Sequence, residues 1–123
     1  NRTVSLRIPF CDEKSVRVEH RVAGADANPY LVMAAVLAGI HHGLTEEVSP
    51  GPMETGDAYL NGGGKNLPRH WHKSLSFFRN GTILPKYLGA EYHDVYERNR
   101  RFECDNFYRI VQPIEFEWYM RTV

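Results

Sequence analysis

The sequence has little that would mark a disulfide-stabilised protein or a membrane protein. Its 123 residues include two cysteines, Cys11 and Cys104, which lie far apart and form no Cys-x-x-Cys unit. We therefore expect two buried free thiols, as in a reducing cytoplasm, rather than a disulfide. No secretory signal peptide is recognised, and the longest apolar run, residues 30–40, is too short to cross a bilayer. These features predict a soluble, cytoplasmic protein with no membrane partner.

The sequence also lacks internal repeats and an excess of charge of either sign. Fifteen basic and fifteen acidic residues give a formal net charge of zero. The molecule as a whole therefore has no electrostatic attraction for polyanions, and we expect no nucleic-acid partner. A site for an anion has to be a local group of basic side chains.

Length and composition favour one domain over residues 1–123. With 42% hydrophobic residues, a chain of this size buries roughly two-thirds of its unfolded surface, which is enough for a core. The sequence begins with Asn1 rather than Met, and a strand-like alternation starts at once. We interpret the sequence as a fragment of a longer chain.

Two segments near the N-terminus alternate polar and apolar residues, which is the period of a half-buried strand. The first covers residues 4–8 and ends at Pro9, and the second covers residues 16–22 after a polar turn. The two segments can pair as an antiparallel hairpin, which we place at residues 1–22.

Residues 28–123 are predicted to form a mainly helical subdomain. Asn28 followed by Pro29 is typical of a helix start, with Asn as the N-cap and Pro in the first turn, and Gly43 is the expected C-terminal cap. The residues between them are apolar on almost every side, which predicts a central core helix. The long segment 44–66 is rich in Pro and Gly and is predicted to be a loop.

Further helices are predicted in the second half of the chain. Apolar residues recur at helical spacing from Trp71 until Gly81 breaks the pattern, and a third helix opens at Pro85 and stops before Pro113. Along this third helix a helical stripe is formed by Leu88, Tyr92, Val95, Asn99 and Phe102. For the tail, residues 114–119, a strand fits as well as a helix, and we assign a short helix. The fold class is therefore α+β, two antiparallel strands followed by helices.

Charged residues are concentrated on the predicted hairpin. Residues two apart on a strand share a face, about 6.6 Å from one another, so Arg17, Glu19 and Arg21 lie on one face, beside Arg7 of the neighbouring strand. Arg2 falls on the other face unless the strand bends. Guanidinium groups bind phosphate and carboxylate in a bidentate manner, and a carboxylate among them can hold a divalent cation. From the pattern alone, a solvated face of mutual ion pairs is favoured over a phosphoryl-transfer site.

Other polar motifs give weaker signals. His41 and His42 are adjacent on a helix, and His70 and His72 are two apart, so neither pair shares a face and a structural role is favoured over a metal site. The run Gly62–Lys65 resembles a phosphate-binding loop but lacks the Ser or Thr and the preceding strand. We expect it to be a flexible loop.

Three ordered blocks resemble the glutamine synthetase family. Residues 1–9, NRTVSLRIP, are similar to its N-R-S-A-S-I-R-I-P segment, residues 17–21, RVEHR, to its R-I-E-V-R, and residues 27–31, ANPYL, to its A-N-P-Y-L. The tail at 113–119, PIEFEWY, resembles the P-x-E-F-E-x-Y of the family. The resemblance implies that the fragment is the C-terminal portion of a glutamine synthetase-type catalytic domain, with the hairpin in its active site.

Matched position by position, the resemblance implies a role for each charged residue of the hairpin. Arg2 would stabilise the transferring phosphoryl group as a catalytic residue, and Arg7 and Arg17 would hold the phosphates of ATP. Glu19 would be a ligand of Mg²⁺ or Mn²⁺, and Arg21 would bind the carboxylate of glutamate. For the hairpin, the resemblance therefore favours a phosphoryl-transfer site over a solvated face of mutual ion pairs.

The resemblance also implies the activity of the full-length protein. It would be a ligase that joins the γ-carboxylate of glutamate to an amine through a γ-glutamyl phosphate, with ATP and a divalent metal. The run 17–26, RVEHRVAGAD, is closest to the γ-glutamylputrescine synthetase branch, which favours a polyamine such as putrescine. His20 lies on the face opposite the arginines, and we expect it to make a buried hydrogen bond rather than contact substrate.

Two alternatives stay open, namely a glutamine synthetase proper that uses ammonia and a catalytically silent relative that serves as a structural or binding module. Hexameric rings, stacked as a homo-dodecamer, are implied for the full-length protein. Because the family's other metal ligands and its general base lie upstream of this segment, we expect the fragment alone to be inactive.

Overall fold

The computed structural model describes residues 2–61 and 67–121 and confirms the α+β class. The chain divides into two compact units, one within residues 1–66 and one within residues 67–123. Its regular elements are β1 (Leu6–Arg7), β2 (Glu19–His20), α1 (Pro29–Thr45), α2 (Ala58–Asn61), α3 (Trp71–Asn80), α4 (Leu84–Leu88), α5 (Ala90–Tyr108) and α6 (Pro113–Tyr119).

The hairpin of the first unit pairs as predicted but is shorter than the alternation indicates. β1 and β2 are antiparallel, with Leu6 opposite His20 and Arg7 opposite Glu19. A short 3₁₀ turn at Glu13–Ser15 lies between them. Each strand has two residues, so regular pairing covers only the centre of the two predicted segments.

Helix α1 starts as predicted and ends later. The Asn28 side chain accepts hydrogen bonds from the backbone N–H groups of Tyr30 and Leu31, and Pro29 occupies the first turn. The prediction that Gly43 caps the helix is wrong, because α1 continues to Thr45 and is capped at Glu46.

The expectation that α1 is a central core helix is not met within the described chain. Ala38 is its one buried residue there. A stripe of larger apolar side chains on one face is more than half exposed, namely Met33, Leu37, Ile40 and Leu44. Within the described ranges, neither α1 nor any other helix has the length and apolarity needed to cross a membrane.

The core of the second unit forms where α3 packs on α5. Leu75 of α3 and Cys104 of α5 are buried, and aromatic rings line the rest of the contact. The Trp71 and Phe107 centroids lie 5.9 Å apart, and Phe78 stacks on His93 at 4.2 Å. The prediction of a helix that Gly81 terminates is confirmed.

The third predicted helix is in fact two helices. Gly89 separates α4 from α5 with a φ of +84° and a ψ of 141°, a conformation that essentially only glycine adopts. Of the helical stripe that the sequence shows here, Tyr92, Val95 and Phe102 are exposed. Helix α5 instead buries His93, Glu97 and Cys104.

Hydrogen-bond partners explain why α5 buries the face that carries His93 and Glu97. His93 Nε2 lies 2.9 Å from the carbonyl oxygen of Phe78, and Arg101 Nε donates to Glu97 Oε1 at 2.8 Å. A buried polar group that is hydrogen-bonded avoids most of its desolvation penalty. The hydrogen bond to Glu97 also raises the pKa of Arg101. The tail forms the short helix α6, as assigned.

Candidate functional site

The hairpin brings oppositely charged side chains together because of its register. Arg7 of β1 and Glu19 of β2 are directly opposite each other, and residues opposite each other in an antiparallel pair project to the same face. The backbone N–H of Arg21 donates to the carbonyl oxygen of Ser5 at 3.0 Å, which extends the pairing by one hydrogen bond. The shared face predicted for Arg7 and Glu19 is therefore present.

Glu19 lies at the centre of this face between two arginines. Its Oε2 is 2.9 Å from Arg7 Nε, while its Oε1 accepts from Arg7 Nη2 and Arg17 Nη2, both at 3.3 Å. The Arg7 Nε–H is buried but is not aligned for a hydrogen bond, so its contact with Oε2 is an ion pair only. We call Arg7, Arg17 and Glu19 the arginine–glutamate cluster.

The other two predicted site residues flank the cluster. Arg21 is exposed, two residues after Glu19, and its backbone is held by the hydrogen bond to Ser5. Arg2 is exposed and lies before β1, and within the described residues no ion pair joins it to Glu19. The structure thus brings three of the five predicted residues, Arg7, Arg17 and Glu19, into direct contact with one another. His20 is exposed, so the buried hydrogen bond expected for it is not found.

The cluster combines cations with a single carboxylate, which fits the binding of a phosphorylated ligand together with a metal. Arginine forks recognise phosphate oxygens. Mg²⁺ prefers oxygen ligands and is commonly bound through one or two carboxylates plus substrate phosphates. Glu19 suits that pattern as one ligand. Within residues 2–61 and 67–121, no group of three or more His, Cys, Asp or Glu side chains is placed to hold a metal.

Among the weaker motifs, His72 contacts Cys104 and Tyr108 in the second unit. His72 stacks on Tyr108 at a centroid distance of 4.7 Å, and its Nδ1 lies 3.6 Å from Cys104 Sγ, which makes it a packing residue of the α3–α5 contact. Burial raises the pKa of the Cys104 thiol. Cys104 is buried as expected, whereas Cys11 is partly exposed, and both thiols are free. The Gly62–Lys65 run lies outside the described residues.

One contact beside the site has no local signal in the sequence. The backbone N–H of Ala58, the first residue of α2, donates to Thr3 Oγ1 at 2.9 Å. The two residues are 55 positions apart, and Thr3 directly follows Arg2. A hydroxyl at position 3 and a long loop were both visible in the sequence, but periodicity and spacing say nothing about a hydrogen bond between them.

Comparison with known proteins identifies a family that covers nearly the whole chain. The family model described as "Glutamine synthetase, catalytic domain" matches residues 1–119. This range includes the whole hairpin and all five predicted site residues.

Individual relatives match along nearly the whole chain. The γ-glutamylputrescine synthetase PuuA of Escherichia coli is 44% identical over 99% of this chain and 26% of its own length. The glutamate–isopropylamine ligase of a Pseudomonas species is 44% identical over 100% of this chain and 27% of its own length. The type-1 glutamine synthetase 2 of Dictyostelium discoideum is 35% identical over 100% of this chain and 24% of its own length. The chain therefore spans about a quarter of the length of these relatives.

Proposed function

The chain belongs to the glutamine synthetase family, and on that basis we propose that the full-length protein ligates glutamate to an amine at the expense of ATP. The observation that carries the proposal is the arginine–glutamate cluster, in which a carboxylate is held between two guanidinium groups on one face of a hairpin. The family match over residues 1–119 supports the same reading.

In this proposal the arginine side chains bind different negatively charged groups of the substrates. Arg7 and Arg17 hold the phosphates of ATP, because their guanidinium groups both lie within 3.3 Å of one carboxylate oxygen and guanidinium groups bind phosphate oxygens as they bind carboxylate. Arg2 stabilises the phosphoryl group during transfer, and Arg21 binds the carboxylate of glutamate. Positive groups positioned in advance at such charges lower the barrier to phosphoryl transfer without reorganisation during the step.

Glu19 is the residue that would hold Mg²⁺ or Mn²⁺. The metal would neutralise charge on the phosphate oxygens. One carboxylate does not complete an octahedral oxygen shell, so the remaining ligands have to come from the nucleotide and from parts of the full-length protein outside this chain. We therefore propose that residues 1–123 alone are inactive and bind MgATP weakly. Micromolar affinity of the isolated fragment in a calorimetric titration would contradict this.

For the acceptor we propose a substituted amine, with a polyamine such as putrescine as the first candidate. The support is that two relatives at 44% identity are named for amine substrates, putrescine and isopropylamine. Ammonia is the second candidate, because a relative at 35% identity is a glutamine synthetase. By the same family resemblance, the full-length protein is proposed to assemble into rings of six subunits, stacked as twelve.

The test is a steady-state assay of the full-length protein with glutamate, ATP and either Mg²⁺ or Mn²⁺. The acceptors are ammonia, methylamine, isopropylamine, putrescine and spermidine, compared by kcat/KM. We expect phosphate release to require both glutamate and an amine, with a substituted amine preferred over ammonia. A preference for ammonia would overturn the acceptor while leaving the ligase class in place, and ATP hydrolysis indifferent to glutamate would overturn the class itself.

Variants of the hairpin connect the activity to the cluster. Arg17→Lys keeps the positive charge but removes the guanidinium fork, and it should raise the KM for ATP. Lys14→Ala is the matched control, because Lys14 is an exposed cation in the turn of the same hairpin and no role is proposed for it. Equal effects of the two substitutions on the KM for ATP would count against phosphate binding by Arg17.

A further inference from the structure

The hydrogen bond between Thr3 and Ala58 joins two parts of the first unit that are distant in the sequence. Ala58 N lies 2.9 Å from Thr3 Oγ1 in a partly buried contact. Thr3 precedes β1 and so lies outside the regular pairing of the hairpin. The contact therefore ties the segment that carries Arg2 to the loop that follows α1.

The part of the loop that Thr3 contacts is held together by its own hydrogen bonds. Asn61 Nδ2 donates to Glu54 Oε1 at 2.6 Å and to the carbonyl oxygen of Thr55 at 3.1 Å. Gly56 turns the chain with a φ of +97°, a conformation that glycine adopts readily. Residues 54–61 thus form a small unit, held to the Thr3 segment by the Ala58–Thr3 hydrogen bond.

Helix α2 depends on this acceptor to complete its first turn. Asp57 Oδ1 accepts from the N–H of Tyr59 at 2.9 Å, and the Asp57 carbonyl oxygen accepts from Leu60 and Asn61. The remaining N–H of the turn, on Ala58, is satisfied by Thr3. A helix of four residues has little stability of its own, so its position depends on contacts of this kind.

We propose that Thr3 is a positioning residue for Arg2. The Thr3 hydroxyl fixes the backbone beside Arg2 against the start of α2, so that the exposed arginine side chain projects from an anchored position. This inference rests on the proposed function, because it assumes that Arg2 acts on the transferring phosphoryl group. Thr3 itself touches no reacting atom and works through its neighbour.

The test removes either partner of the hydrogen bond in the full-length protein. Thr3→Val keeps the shape but loses the acceptor. Ala58→Pro loses the donor at the first position of a helix, where proline is tolerated. Each variant should lower kcat by roughly tenfold, the effect expected if a displaced Arg2 loses about one hydrogen bond to the transferring phosphoryl group, with little change in the KM for ATP. The double variant should be no worse than either single variant, and Thr3→Ser should restore most of the activity.

Two further measurements separate this role from a general loss of stability. Thr82→Val is the matched hydroxyl deletion, at an exposed position in the other unit, and it should leave kcat unchanged. Hydrogen exchange followed by mass spectrometry should show that Thr3→Val removes protection from the peptide containing Ala58, and this readout does not depend on activity.

The outcomes distinguish the inference from the proposed function. Wild-type ligase activity together with an unchanged kcat in Thr3→Val would overturn the positioning role and leave the function standing. A wild-type protein without glutamate-dependent activity would overturn the proposed function and the role of Thr3 with it, even if the exchange experiment detects the hydrogen bond. A fall in kcat that Thr3→Ser does not restore would also refute a role for the hydroxyl.

Discussion

Replacing Glu19 with glutamine separates the two roles that this residue can have. Glu19→Gln keeps the size of the side chain and removes its charge. If Glu19 only pairs with arginines, the change affects folding alone. If it also binds a metal in the full-length protein, the change affects activity far more than stability.

The structure sets the expected size of the effect on stability. The side chains are 36% exposed for Arg7 and 29% for Glu19 in one ion pair, and 58% for Arg17 in the other. Exposed ion pairs of this kind contribute about 0.2–1 kcal/mol each. Because the glutamine oxygen still accepts a hydrogen bond, we expect the free energy of unfolding to fall by at most roughly 1 kcal/mol.

The expected effect on activity is much larger. A metal that neutralises phosphate charge contributes several kcal/mol to the transition state, and a loss of about 3 kcal/mol lowers the rate roughly a hundredfold. Glu19→Gln should therefore reduce kcat about a hundredfold or more and raise the Mg²⁺ concentration needed for half-maximal rate. Thermal unfolding should detect a shift of no more than a few degrees.

The matched control is Glu13→Gln, at an exposed carboxylate in the turn of the same hairpin. It should leave both kcat and the metal requirement near wild type. The reasoning is refuted if Glu19→Gln retains wild-type kcat and metal dependence, since Glu19 is then only an ion-pair partner. It is also refuted if both glutamine variants lose activity equally.

Three further predictions concern the folded state. Asn28→Ala should cost about 1 kcal/mol, because N–H groups at the start of α1 lose their acceptor; the thermal midpoint should fall, whereas Asn28→Asp should stay near wild type. Gly89→Ala should cost about 1–3 kcal/mol because of its φ of +84°. Gly39→Ala in α1, where an added Cβ meets nothing within 4 Å, should be neutral or stabilising, and equal midpoints for these two variants in urea would contradict the argument. The raised pKa of the buried Cys104 thiol keeps it protonated to higher pH than an ordinary thiol, so iodoacetamide at mildly alkaline pH should modify Cys11 first; mass spectrometry measures the order of labelling, and modification of Cys104 before Cys11 would contradict this prediction.

The features that the sequence predicted correctly are those set by neighbouring residues. The start of α1 follows from Asn28 and Pro29, whose side-chain chemistry fixes the first turn whatever the rest of the fold does. The placement of Arg7 beside Glu19 on neighbouring strands follows from the period of a strand and an antiparallel hairpin, whereas the register that sets them directly opposite each other comes from the structure. The roles of these residues in a reaction came from family resemblance and remain a proposal.

The pattern of apolar residues did not show which side chains of the third helix are buried. Helical spacing selected an apolar stripe, yet α5 buries His93 and Glu97. The partner of Glu97, Arg101, is four residues further along the same helix, whereas the Phe78 carbonyl oxygen that His93 meets is 15 residues away in the sequence, and no local window shows that contact. The Gly43 cap failed because glycine permits a helix to end but does not require it, and α1 continues to Thr45.

The arrangement around Glu19 explains why a carboxylate belongs among arginines that are proposed to bind phosphate. Before any ligand is present, its two oxygens face Arg7 and Arg17 at 2.9–3.3 Å, which holds both guanidinium groups on the same face of the hairpin. Such ion pairs are nearly neutral in free energy when they are partly exposed, so replacing the carboxylate by another anion costs little free energy. In the proposed function, the phosphates of ATP replace the carboxylate as partners of the arginines, and Glu19 is released to bind a metal. The ion pairs therefore order the cationic groups in advance without competing strongly against the substrate.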